Sequence, residues 1–145
     1  MKKTLLTLGI MALLSGTSMA AVQKIAVVDV PAIVAKSAQV QTLKKEQQTK
    51  ISELDKWLKS AQADVAKQQT KEGKEKLLKQ YNSDFAKKKE AIAKDYRAKL
   101  SAVDKSITET ITTRARAMGY DMVIVKSMVI MGGDDITAEI QKLVK

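Results

Sequence analysis

Neither cysteine nor histidine occurs in this chain. The first absence removes disulfide staples and thiol chemistry. The second removes the commonest general base and the commonest metal ligand together. Aspartate and glutamate are scattered, and no two share an apolar setting that would split their pKa values into an acid and a base. No Gly-x-x-x-x-Gly-Lys loop is present to cradle a nucleotide. The reading is of a protein that is not an enzyme and needs no cofactor or metal. Aromatic residues make up only 3% of the sequence, which leaves no stacking platform for nucleic acid. Proline occurs once, at Pro31, and across 38–118 the only glycine is Gly73.

Long apolar runs are missing too. The stretch 5–14, interrupted by Thr7 and Gly9, falls short of the roughly 20 residues that span a bilayer. Lys2 and Lys3 precede it, and the small residues Ser18 and Ala20 follow it. That pattern is an export signal cleaved after Ala20 rather than an anchor. No cysteine stands at the cleavage site to carry a lipid. The expectation is a soluble chain from Ala21 onward, placed in the periplasm.

What the chain does have is positive charge, 26 Lys and Arg against 16 Asp and Glu. The excess is uneven. Residues 36–118 hold 20 basic and 11 acidic side chains, a net of +9, and the rest of the exported chain has a net of −1. Such asymmetry points to an anionic partner or to long-range steering.

The same stretch carries a helical pattern. Ile51, Leu54, Leu58, Ala61 and Val65 step by three and four before Gly73, and Tyr81, Phe85, Ile92, Tyr96 and Leu100 do so after it. Ala, Lys, Gln, Glu and Leu dominate, all strong helix formers. Two helices are predicted, at 38–72 and 74–118, folding antiparallel at Gly73 as a left-handed cap. Val65 then meets Tyr81, Ala61 Phe85, Leu54 Ile92, Ile51 Tyr96, Leu43 Val103 and Val40 Ile107. Leu58 meets Lys88. Trp57, beside this seam, shields its edge.

Outside the arm the chain turns β-branched. The segment 24–30, with Ile25, Val27 and Val28, reads as a strand that Pro31 ends, opening a short helix. Gly119 closes the second long helix. A strand follows at 120–125, with Val123, Ile124 and Val125, then a turn at Lys126 and Ser127. A third strand is predicted at 127–131, with Val129 and Ile130, before a loop at 132–135. A last amphipathic helix carries Ile136, Ile140 and Leu143 or Val144 on one face. Met118, Met122, Met128 and Met131 are assigned to core packing. These segments, 21–37 and 119–145, total about 45 residues, near the size at which a lone core fails without a staple or partner. The fold class is therefore α+β and mostly α. A long antiparallel helical hairpin, a coiled-coil arm bent near 73 and covering 38–118, projects from a small β-containing body that assembles into a homo-oligomer.

In this order, behind an export signal, the segments resemble the Skp (OmpH-like) family of periplasmic holdase chaperones. The residues that carry the likeness are 24–29, the basic hairpin nearly free of Gly and Pro, 120–125, and Asp135, Ile136, Thr137 and Glu139 followed by 143–145. The resemblance implies a homotrimer with three arms around a cavity. It also implies that unfolded outer-membrane proteins are the clients, held without ATP until insertion.

The candidate client- and lipid-binding residues form a basic face of the arm: Lys67, Lys71, Lys74, Lys76, Lys79, Lys87, Lys88 and Lys89. A solvated helix face is the competing explanation for any one of them, with Glu72 balancing Lys76 and Glu75 balancing Lys79. Anionic lipid or lipopolysaccharide surfaces are further candidate partners. Two other functions fit part of the pattern, a structural coiled-coil envelope protein and a small basic nucleic-acid-binding protein.

Overall fold

Strand β1, Ile25–Val28, is built from β-branched residues and Ala26, and three of its four residues are buried. A computed structural model describes the chain over residues 23–144. The expected export signal and its expected cleavage after Ala20 lie outside the described residues, as do residues 21, 22 and 145. The order from β1 onward is α1 (Val30–Lys36), α2 (Ala38–Lys67), α3 (Lys71–Ala117), β2 (Met122–Val125), β3 (Asp134–Asp135) and α4 (Thr137–Leu143). The fold is mostly helical, with two long helices packed together beside a small parallel sheet.

The sheet runs β2-β1-β3, and both outer strands are parallel to β1. Ala26 pairs with Val123 and with Asp134, and Val27 with Ile124 and with Asp135. This corrects the expected strand at 127–131. Lys126–Met128 forms a single 3-10 turn, and Val129 and Ile130 lie in the connection beyond it. A hairpin partner of β2 would run opposite to β1. The chain instead crosses to the far edge of β1 and there adds Asp134 and Asp135, expected to be loop, in the parallel sense. Gly133 permits the crossing. Its φ is +81°, and a Cβ there would lie 2.5 Å from Val27 Cγ2.

The helix ends explain the rest of the layout. Asp29 caps α1, its carboxylate accepting from the Ala32 N–H at 3.0 Å. Ser37 ends α1 and begins α2, its hydroxyl accepting from the Val40 N–H. α3 closes through Gly119 at φ +81°. There the Tyr120 N–H donates to the Ala115 carbonyl at 3.0 Å and the Gly119 N–H to the Arg116 carbonyl at 2.9 Å, a Schellman pattern.

The bend between the long helices is not at Gly73. α2 stops at Lys67, the chain turns through Gln68, Gln69 and Thr70, and Gly73 lies inside the first turn of α3. Thr70 is the N-cap, and its hydroxyl accepts from the Gly73 N–H at 3.2 Å. A Cβ on Gly73 would meet that hydroxyl at 2.7 Å. The glycine therefore makes room for the cap that starts α3.

One core joins sheet and helices. Ala26 and Val28 of β1, Ile33 of α1, Ile136 and Ile140 pack with Val40, Ile107, Ile111 and Ala115 from the roots of the long helices. Val144 and Met118 pack against it, whereas Leu143 is exposed. The body thus borrows four buried residues from α2 and α3. On the other face of β1, Val27 is buried against Gly133, so the connection covers the middle of that face. Met122 is exposed, and the connection after β2 leaves Met128 at 78%, Met131 at 92% and Ile130 at 104% exposure. The expected core role therefore fails for three of the four methionines.

Candidate functional site

Helices α2 and α3 run antiparallel, as the contacts between them require. Gln39 meets Ser106, Glu46 meets Lys99, Lys50 meets Asp95, and Asp64 meets Tyr81. The register lies one residue from the expected one, so Asp64 rather than Val65 stands opposite Tyr81. Leu43, Val40 and Ile107 are buried in the seam as expected, but Ile51 and Leu100 remain nearly half exposed. Ion pairs fill that stretch instead. Lys50 donates to Asp95, and Lys99 bridges Glu46 and Asp95. The Lys50 bond holds the Asp95 carboxyl below its ordinary value, and the Glu46 bond raises Lys99.

Further toward the bend the seam becomes aromatic. Trp57 meets Tyr81 edge-on at 5.7 Å and stacks on Phe85 at 6.5 Å with 13° between the rings. Tyr81 donates its hydroxyl proton to Asp64, and its pKa is raised, first by partial burial and then by that carboxylate. Lys88, expected opposite Leu58, sits over the Trp57 ring with its ammonium 5.3 Å from the centroid. Trp57 therefore belongs to the packed seam, and one side of it opens into a groove of about 450 Å³. The groove is lined by Leu54, Ala91 and Ile92 with Lys50, Glu53, Lys88 and Asp95 at the rim. Only the spacing of aromatic and apolar residues hinted at it. The sequence did not mark which side of Trp57 stays open.

All eight candidate lysines are exposed. Lys67 pairs with Asp64 at 3.7 Å, and the other seven form no ion pair among the described residues. Pairs of Glu72 with Lys76 and Glu75 with Lys79 are not formed, so local neutralisation does not explain those lysines. With 3.6 residues per turn, positions 71, 74, 76, 79, 87, 88 and 89 fall around the whole helix circumference. The arrangement is a charged sleeve, not one basic face.

In the body, the residues singled out for assembly divide. Ile25, Val27, Val28, Val123, Ile124 and Val125 lie in β1 and β2, while Val129 and Ile130 lie outside any strand. Lys126 donates to Asp135 at 2.7 Å across the connection. Tyr120 donates to Asp134 at 3.1 Å. Together they tie the crossing segment to the sheet. Among the described residues no three carboxylates converge, and no helix is long and apolar enough to cross a membrane. Compared with known proteins, the chain matches no family model and no curated protein.

Proposed function

We propose that this chain is an ATP-independent periplasmic holdase that binds unfolded outer-membrane proteins after export and keeps them from aggregating before insertion. The observation that carries the reading is the separation of two surfaces. The paired long helices present a sleeve of lysines, most of them without an ion pair among the described residues, and the connection beside the sheet leaves Met128, Ile130 and Met131 bare. An exposed apolar segment of this kind calls for a partner. Copies of the chain join there, three in number as the family resemblance implies, and the helix pairs stand out from the joined bodies as arms around a shared space.

An unfolded chain held in that space cannot pair its strand edges with another molecule. Lysines attract acidic segments and anionic lipid head groups from a distance and raise the capture rate. Each contact is weak and screened, so the client leaves when its own folding into the membrane competes. No nucleotide is needed for release. Binding weakens as salt rises, because exposed charges are screened over about 8–10 Å near physiological ionic strength.

Light scattering of a urea-denatured outer-membrane barrel diluted into buffer tests the reading. Turbidity should fall in proportion to added protein and return in part at high salt. A coiled-coil spacer leaves the turbidity unchanged, and that result would remove the chaperone.

A further inference from the structure

The groove beside Trp57 has a polarity that the sleeve of lysines does not share. Its floor is Leu54, Ala91 and Ile92, and the Trp57 indole forms one wall. The volume, about 450 Å³, falls in the range of about 300–1,000 Å³ that seats a compact organic group. Phe85 stacks on the ring and Tyr81 meets it edge-on, so a further aromatic group extends an existing cluster in an offset or edge-on arrangement.

The rim charges do not cancel evenly along the groove. Lys50 and Asp95 neutralise each other at the end nearer the sheet. Glu53 remains there without an ion pair among the described residues, while Lys88 remains at the end nearer the bend. The Lys88 ammonium rests over the Trp57 ring, a contact that a carboxylate readily replaces. The groove therefore has an apolar, aromatic centre, a cation at one end and an anion at the other.

Building on the holdase reading, we infer that the groove seats one kind of client segment, an aromatic residue whose neighbour toward the bend is acidic. Its ring stacks on Trp57 above Leu54 and Ile92, and its acidic neighbour takes Lys88. Glu53 disfavours a second acidic residue at the other end and accepts a basic one. Clients are then sampled by short aromatic–acidic segments as well as by bulk charge.

Trp57 is the only tryptophan in the chain, so tryptophan emission reports on the surroundings of this one ring. The probe is a short blocked peptide, free of Trp and Tyr, with Phe beside Asp. Controls replace the Asp by Lys or the Phe by Ala. The Phe–Asp peptide should shift Trp57 emission saturably, and the Lys control should bind about fivefold more weakly, the worth of one exposed ion pair. The Ala control should give no shift. Lys88→Glu should reverse the preference between the Asp and Lys peptides, which loss of packing alone cannot do. Turbidity suppression by the same preparation separates the two readings. Emission unmoved with suppression intact, or a preference unchanged in Lys88→Glu, overturns the groove and spares the holdase. A saturable shift without suppression keeps the groove as a peptide site and removes the holdase.

Discussion

Gly133 and Gly119 share a positive φ of 81° but differ in their surroundings. At Gly119 a Cβ would meet nothing within 4 Å, so alanine costs only the backbone term, about 1–2 kcal/mol. At Gly133 the same Cβ would lie 2.5 Å from Val27 Cγ2, and overpacking adds about 1–3 kcal/mol. Urea titration should therefore find Gly133→Ala clearly the more damaging, because it pries the crossing segment off β1. Asp135 carries the pH dependence of that segment. Its carboxyl lies at about 2, lowered from 3.8 first by the Lys126 hydrogen bond and then by Thr137. A carboxyl lowered in the folded state stabilises the protein above its unfolded value, and the contribution disappears as pH falls from about 4 through about 2. Asp135→Asn should flatten the fall in Tm over that acid window, with little change in its shape near neutrality.

At the scale of elements, the bend separates two effects that nearly cancel. Thr70→Ala removes a cap worth about 1 kcal/mol. Gly73→Ala gains about 1 kcal/mol of helix propensity but forces the Thr70 hydroxyl away from its place at 2.7 Å. Alone it should be close to neutral. Combined with Thr70→Ala it should recover most of the loss, a non-additivity that thermal melts of the four proteins would reveal. Trp57→Ala should cost about 2 kcal/mol, below the roughly 3–5 of a fully buried tryptophan, because one side of the ring faces the groove.

These elements also mark what was legible in advance. The step-of-three-and-four spacing located the helix pair and its register to within one residue, since a seam that long tolerates few alternatives. It misplaced the bend, because glycine is also useful inside a first turn where a threonine cap needs room. Gly119, Ile136 and Ile140 behaved as their residue types suggest. The segment 127–131 did not, since β-branched and apolar composition cannot tell a strand from a segment held against a partner or left bare. The groove was not legible. It depends on which side of Trp57 two other helical turns happen to cover.

For the whole molecule, the charge and the exposed apolar connection after β2 are two halves of one proposal. On the proposed reading, the sleeve meets an anionic or unfolded partner and the body meets another copy. Ile130→Asp places a charge in the most exposed apolar position of the connection. The account predicts that it lowers the assembly state without unfolding the helices, which circular dichroism and sedimentation would show together. Lysine-to-glutamine changes at Lys71, Lys76, Lys79 and Lys87 make no ion-pair loss among the described residues. They should leave stability nearly unchanged while weakening client capture and its salt dependence.

Sedimentation of the chain from Ala21 onward, alone and after a denatured outer-membrane barrel is diluted into it, tests the central claim most directly. The account predicts one species of several copies that takes the barrel into a single soluble complex at low salt. A monomer at micromolar concentration, with the barrel pelleting beside it, would contradict it.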